Sequence, residues 1–278
     1  VELYEGTVVE DTFTVRSSLN NQKFVLSNPS ADTSTIRVKV FPIENSTEFA
    51  YYNQIESIID IGAESTRPGS DPLTHKEEVK RLDPILKKLP KNKFVISVDT
   101  NKIETQEYAL NMGAHIINDV FGGSEDLFFL TKKFKTGLIL MHTPAPPKTM
   151  QKKIHSYNNV VQDIKKIFLQ KIKQLEKIKI PSSKVWFDPG IGFGKNLKQN
   201  IEIMQKINQF KFKGYGLLLG SSRKSWINFI DKSETNQRLG GSIASALYCY
   251  QKGVDIFRVH DIKETSQSLK IFEKLCSK

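Results

Sequence analysis

Short apolar and β-branched runs alternate along this chain with longer stretches of helical spacing. The runs are Phe24–Ser27, Ser57–Gly62, Phe94–Val98, His115–Asn118, Gly137–Met141, Val185–Phe187, Tyr215–Leu219 and Asp255–Val259. Most are continuously apolar rather than alternating, as strands of a parallel sheet covered on both faces must be. Between them lie amphipathic stretches: Val79, Leu82, Ile85, Leu86 and Leu89 within 76–89, Ile164, Ile167, Phe168, Ile172 and Leu175 within 163–177, and Leu269, Phe272 and Leu275 within 263–275. Strand–helix alternation repeated eight times predicts an α/β fold, a closed (β/α)8 TIM barrel, with a doubly wound open sheet as its competitor. No Pro/Gly/Ser-rich linker divides the chain, so one domain over 1–278 is expected. Residues 1–23 form an N-terminal extension in which Gly6–Val15 is expected to make a hairpin closing one barrel end.

Composition narrows this picture. A chain of 278 residues exceeds the usual domain, but a parallel barrel accommodates it, and 38% apolar residues supply a full core. The longest apolar runs, Gly137–Met141 and Gly216–Gly220, are far too short to span a bilayer, so no membrane partner is expected. The opening Val1-Glu-Leu-Tyr-Glu5 has no secretory character. Cys249 and Cys276 form no CxxC pair, which argues against a zinc site or a disulfide scaffold and for a cytoplasmic location. The net charge of +11 is compatible with nucleic acid or with a small anionic substrate. The lysines nevertheless sit mostly on helical faces, and no basic patch is interleaved with aromatics, so no nucleic-acid partner is expected.

Chemistry concentrates where the strands end. The second run leads into Glu64-Ser-Thr-Arg-Pro-Gly69, the third into Asp99-Thr, the fourth into Asn118-Asp119 and the fifth into Met141-His142. The sixth leads into Asp188-Pro-Gly-Ile-Gly-Phe-Gly-Lys195, the seventh into Gly220-Ser-Ser-Arg-Lys-Ser225 and the eighth into Arg258-Val-His-Asp261. One polar residue after a strand is usually a helix cap; a whole series predicts a common mouth at the C-terminal face of a barrel. Asp99, Asn118 and Asp188 are short acceptors suited to the edge of a flat heterocycle rich in N–H donors. Arg258 and His260, two residues apart at a strand end, suit phosphate or pyrophosphate. The substrate class is a planar heterocycle with an anionic leaving group.

The glycine-rich stretch Asp188–Lys195 matches neither GxGxxG nor the Walker pattern, and its glycines fit a tight turn that displays Phe193. His75 and His142 have no partner at zinc-site spacing, so a supporting role is expected for each.

With these residues in view the chain resembles the dihydropteroate synthase family from about Phe24 to Leu275. The matching signatures are Ile-Asp-Ile-Gly-Ala-Glu-Ser-Thr-Arg-Pro-Gly (59–69), Ser-Val-Asp-Thr (97–100), Gly-Ala-His-Ile-Ile-Asn-Asp-Val (113–120), Met141-His142, Thr149-Met150, Asp188–Lys195, Ser-Arg-Lys-Ser (222–225) and Arg-Val-His-Asp (258–261). Pterin-binding methyltransferase domains share the barrel but lack the Glu-Ser-Thr-Arg-Pro-Gly loop and the Ser-Arg-Lys-Ser run.

The resemblance implies a division of labour. It places the pterin ring against Asp99, Asn118, Asp188 and Lys224, with Val120 and Met141 packing nearby. It gives the pyrophosphate of a dihydropterin pyrophosphate to Arg258, His260 and Asn28, with Mg²⁺ held through Asn28. It sets p-aminobenzoate against Thr66, Arg67, Pro68, Phe193, Lys224 and Ser222. Asp99, Lys224, Arg258 and His260 carry the catalytic roles, pyrophosphate departing before the arylamine attacks. A homodimer through the last helices is the family expectation.

One segment departs from the family. The loop after the first strand usually reads Asn-Val-Thr-Pro-Asp-Ser-Phe-Ser-Asp-Gly-Gly, whereas this chain has Ser27-Asn-Pro-Ser-Ala-Asp-Thr-Ser-Thr-Ile-Arg37. Aligning Asn28 with the family Asn keeps the metal-binding and acidic groups; aligning on Pro29 instead places Leu26 there. On either alignment the Phe-Ser-Asp-Gly-Gly half is gone. Three readings follow: an active synthase with an unusual loop, a weakened paralogue that still binds a pterin, or another pterin-dependent transferase on the same barrel.

Overall fold

Parallel strands laid down in chain order, each followed by a helix, organise the protein. The computed structural model describes residues 2–3, 8–9, 58–65, 71–145 and 157–276. Two short strands, β1 (Glu2–Leu3) and β2 (Val8–Val9), pair antiparallel. The main sheet runs β3 (Ile58–Gly62), β4 (Val95–Asp99), β5 (Ile116–Asp119), β6 (Gly137–Met141), β7 (Val185–Asp188), β8 (Gly216–Leu219) and β9 (Ile256–Phe257). All its neighbours are parallel and the spatial order equals the chain order. A doubly wound sheet reverses direction at a switch point, which this order lacks. The sheet curls into the barrel: Arg258, just past β9, reaches Asp60 on β3 at 3.1 Å.

The continuously apolar runs conceal a period of two. One side chain from each strand, Ile58, Val95, Ile116, Ile139, Trp186, Leu218 and Ile256, builds a separate buried cluster, the inner layer of the barrel. The alternate residues, among them Ile59, Ile61, Ile96, Val98, Ile117, Leu138, Leu140, Phe187, Leu217 and Leu219, pack outward against the helices. Gly216 makes room for the indole: a Cβ there would stand 1.9 Å from Cδ1 of Trp186.

The helices are α1 (His75–Lys88), α2 (Ile103–Asn111), α3 (Glu125–Phe134), α4 (Val160–Ile178), α5 (Leu197–Gln205), α6 (Ser225–Ile230), α7 (Leu239–Tyr250) and α8 (Ile262–Cys276). Capping boxes open α1 (Thr74 with Glu77) and α5 (Asn196 with Gln199), and Ser124 and Asn159 cap α3 and α4. No helix among the described residues is long and apolar enough to cross a membrane.

The structure corrects several boundaries. The expected first strand, Phe24–Ser27, lies outside the described residues. Of the expected hairpin Gly6–Val15, Val8–Val9 are a strand, but their partner is Glu2–Leu3; strand propensity locates a strand, not its partner. Ile167 is 38% exposed, because the buried seam of α4 steps through Ile164, Phe168, Ile172 and Leu175 and leaves it on the shoulder. Leu275 is 80% exposed in the last turn of α8, beyond the stripe of Thr265 and Leu269 that meets the barrel. Asp99, Asp119 and Asp188 fall inside their strands rather than after them.

Candidate active site

Above the inner apolar layer the same inward phase brings polar residues into the barrel. Two positions on from Ile58, Val95, Ile116, Trp186 and Ile256 stand Asp60, Ser97, Asn118, Asp188 and Arg258, all buried. Asp99 follows on β4, opposite Asn118, and Met141 on β6 stands opposite Asp188. Val120, Met141 and Phe193 form a small apolar cluster of their own.

Arg258 is the hub of this layer. Its Nε lies 3.1 Å from Oδ2 of Asp60, and its Nη2 donates to Oδ2 of Asp99. Burial opposes the guanidinium charge, but Asp99, Asp60 and Asp188 outweigh it and hold the group above its ordinary range. Oδ1 of Asp99 is buried and has no hydrogen-bond partner among the described residues. Asn118 Nδ2 donates to Asp60, 3.2 Å from Oδ2 and 3.5 Å from Oδ1. Burial pushes the Asp188 carboxyl up, against the pull of Lys224, the Gly190 N–H, Arg258 and Lys195. Gly190 N donates to Oδ1 of Asp188 at 2.8 Å.

The glycine-rich turn is built around a lysine. Lys195 is buried, and its Nζ donates to the carbonyls of Gly190 at 2.8 Å, Phe193 at 3.0 Å and His142 at 3.4 Å. Burial pulls this lysine down to about 7, with Asp188 acting against the shift and Lys224 with it. Gly190 has φ +72, and a Cβ there would stand 2.1 Å from the carbonyl oxygen of His142; only glycine fits. Phe193 is therefore packed rather than displayed: it is buried beneath Lys224, whose Nζ stands 4.6 Å from the ring centroid and donates to the Ile191 carbonyl.

At the rim, Ser222 Oγ takes the backbone N–H of His260 at 3.3 Å and lies 3.1 Å from its Nδ1. His260 is exposed there, whereas Arg258 sits deep, so the expected cationic pair is split between rim and interior. Asp261 pairs with Arg223 through Nε at 2.8 Å and Nη2. His142 has the supporting place expected of it: its N–H donates to the Asp188 carbonyl at 2.8 Å and its ring packs near Tyr157 and Phe168. His75 is the first residue of α1. Asp119 faces outward, accepting from Phe121 N at 2.7 Å and Gln106 Nε2 at 3.0 Å, and is a turn cap.

The structure brings together Asp99, Asn118, Val120, Met141, Asp188, Phe193, Lys224 and Arg258, with Ser222 and His260 at the mouth. Asn28 and Thr66, Arg67 and Pro68 lie outside the described residues, as does the divergent segment 28–38. Glu64, just past the end of β3, accepts from Leu73 N and from Lys102 Nζ, each at 2.6 Å. Lys102 also meets buried Glu78 at 3.3 Å, which in turn accepts from Thr100 at 2.9 Å. Burial pushes Glu78 up. Among the described residues no three His, Cys, Asp or Glu side chains could together hold a metal ion. Sequence reasoning gave no role to Asp60, Lys195 or Glu78. A carboxylate inside an apolar run, in phase with the inner layer, was the available signal for Asp60.

Comparison with known proteins places this geometry. The family of pterin-binding enzymes matches residues 55–260. Escherichia coli K12 dihydropteroate synthase is 38% identical over 224 residues, covering 80% of this chain and 79% of that one. The crystal structure of a Clostridium difficile dihydropteroate synthase, determined in the presence of pteroic acid, superposes with TM-score 0.73 at 34% identity, over 82% of this chain and 85% of that one. The Thermus thermophilus enzyme in complex with 4-aminobenzoate gives TM-score 0.71 at 35% identity, over 78% and 84%.

Proposed function

The chain belongs to the dihydropteroate synthases, and from that premise we propose how its residues divide the condensation of 6-hydroxymethyl-7,8-dihydropterin pyrophosphate with p-aminobenzoate. The pterin ring enters the barrel among Asp99, Asn118, Asp188 and Lys224, with Val120 and Met141 against its face. The observation that carries this is the buried, unpartnered Oδ1 of Asp99, opposite Asn118 on the neighbouring strand β5, with buried Asp188 in the same inward phase on β7. A buried acceptor without a donor is costly, and a heterocycle presenting N–H groups removes that cost.

Departure of pyrophosphate breaks the C–O bond, the electron pair leaving with oxygen. Asp99 and Asp188 stabilise the pterin-methyl cation so formed, in a site where burial strengthens the interaction. Arg258 and His260 take the pyrophosphate charge. The arylamine nitrogen then forms the new C–N bond and gives up a proton. p-Aminobenzoate lies against Thr66, Arg67, Pro68, Ser222, Phe193 and Lys224; the aromatic ring of Phe193 with the Lys224 ammonium above it suits a benzoate.

Mg²⁺ is proposed as cofactor. When bound it neutralises charge on the leaving pyrophosphate. A hard cation that keeps its waters and takes most of its ligands from phosphate oxygens needs one or two protein oxygens rather than a full cage. The Asn28 amide oxygen is the donor this reading assigns. A homodimer through α7 and α8 is also proposed, supported by exposed Tyr248, Ile271 and Leu275 on those helices, and the cytoplasm is the compartment proposed. The test of the reading is pyrophosphate release on mixing the protein with the dihydropterin pyrophosphate, p-aminobenzoate and Mg²⁺. Release that depends on p-aminobenzoate is expected; no release and no pterin binding would overturn it.

A further inference from the structure

Asp60 sits in the middle of β3 with its side chain inside the barrel and is wholly buried. Neither the substrates' expected contacts nor the reaction steps above use it. Its partners among the described residues are two members of the site: Arg258, at 3.1 Å, and Asn118, whose Nδ2 lies 3.2 Å from Oδ2. We infer that Asp60 is a positioning residue for the pterin, acting through Asn118 and Arg258 from beneath the pocket.

Two consequences follow from its chemistry. A carboxylate can only accept, so Asn118 must turn its NH2 group toward Asp60 and its carbonyl oxygen away from it. The end of the amide offered to a ligand is thereby fixed. Arg258 is in turn divided between two acids: Nη2 donates to Asp99, whereas Nε faces Asp60 at 3.1 Å as an ion pair and has no hydrogen-bond partner among the described residues. That division occupies one Asp99 oxygen and leaves Oδ1 unpartnered for the ring. Without the charge of Asp60 beside Nε, the guanidinium would be free to turn its fork onto both oxygens of Asp99, the usual bidentate arrangement. Asp60 therefore keeps two acceptors, one on Asn118 and one on Asp99, available to the heterocycle.

This inference rests on the proposed function, and the experiment separates the two. Binding of 6-hydroxymethyl-7,8-dihydropterin is measured by calorimetry for the parent, Asp60→Asn, Asn118→Ala and the double variant, with the KM of each substrate. The isosteric amide can donate, so it releases Asn118 to flip and removes one of the carboxylates that balance Arg258. Asp60→Asn should weaken pterin binding about tenfold, as loss of one well-made buried pairing does, while the KM for p-aminobenzoate changes less than about twofold. In the Asn118→Ala background the loss should shrink to less than about half of that factor, because the residues act through one another.

A merely structural Asp60 would lower thermal stability and the active fraction without this split between substrates. Unchanged pterin affinity, equal changes in both KM values, or full additivity with Asn118→Ala would each overturn the inference. Absence of pterin binding in the parent would overturn the functional reading instead. Should Asp60→Asn not fold, Asp60→Glu keeps the charge on Arg258 balanced while moving the carboxylate off the amide, and the same split is expected. Failure of both variants to fold would assign Asp60 to stability alone and also overturn it.

Discussion

Nζ of Lys195 lies 2.8 Å from the carbonyl oxygen of Gly190, and this bond ties the last residue of the glycine-rich turn to its first bend. The same ammonium also binds the Phe193 and His142 carbonyls. Replacing it by methionine leaves three carbonyls without their shared donor and loosens the wall behind Phe193. Lys195→Met should lower stability, and the loss should depend on pH. Burial holds the lysine at about 7 in the folded protein, whereas an unfolded lysine titrates near about 10.4. Between those values the unfolded chain binds the proton that the folded chain has released, so the parent gains stability as pH rises. Urea denaturation should therefore show a larger loss for Lys195→Met at about pH 9 than at about pH 6. A loss that is flat with pH would mean that Lys195 stays charged when buried.

Gly190 and Gly253 offer a controlled comparison of strain and clash. Both have positive φ, +72 and +88, but a Cβ at Gly190 would meet the His142 carbonyl at 2.1 Å, while one at Gly253 has nothing within 4 Å. Gly253→Ala should cost about 1–2 kcal/mol, the backbone penalty alone. Gly190→Ala adds displacement of a buried backbone and should cost about 3 kcal/mol or more. Equal shifts in denaturation midpoint would refute the clash.

Much of this site was legible in the chain because a parallel barrel puts its chemistry at strand ends. Asp99, Asn118 and Asp188 could be picked out by position and residue type, and the family motifs added Lys224 and named the substrates. Ile167 and Leu275 were misplaced for a different reason. Helical spacing identifies an apolar stripe, but where the neighbouring element ends decides which of its members are covered. Asp60 and Lys195 escaped because their partners are two remote side chains, Arg258 and Asn118, in one case and backbone carbonyls in the other. Neither kind of partner leaves a spacing in the sequence. Residue types alone likewise did not separate Arg258, held deep by two acids, from His260 at the rim.

Asp188 is the test of ring recognition. It is buried on β7, directly opposite Met141, and its Oδ1 accepts from the neighbouring Gly190 N–H. Asp188→Ala should weaken binding of the dihydropterin by roughly tenfold or more in calorimetry, since a buried N–H loses its acceptor. Affinity equal to the parent would remove Asp188 from the pocket.

Arg258 has two duties that one substitution exposes together. Arg258→Ala leaves Asp60 and Asp99 buried without their shared countercharge, and removing one partner of a buried pair costs about 3–5 kcal/mol. Among the molecules that still fold, the pyrophosphorylated substrate should suffer far more than 6-hydroxymethyl-7,8-dihydropterin, because only the former presents an anion to the guanidinium. Binding constants for the two ligands decide the matter. Equal losses would confine Arg258 to organising the acids.

The final prediction concerns residues 28–38, the segment that departs from the family. The family loop ends in a Phe, an acid and paired glycines; here Thr35-Ile36-Arg37-Val38 stands instead. Glycines supply hinge freedom, whereas three β-branched residues in four restrict it. Asp99, Asn118, Asp188 and Lys224 all belong to the barrel strands and the turn after β8, so the residues assigned to the pterin ring come from outside this segment. Binding of the pterin pyrophosphate should therefore be ordinary, while coupling to p-aminobenzoate is slow relative to a synthase carrying the full loop. The defect belongs in kcat, since closing a loop completes the catalytic arrangement rather than the ground-state pocket. Grafting the family loop over 28–38 should raise kcat and leave the pterin dissociation constant within about twofold of the parent. Parent turnover matching that of the Escherichia coli relative in the same assay would defeat this, and would show that Asn28, Asp32 and their neighbours close the site by another route.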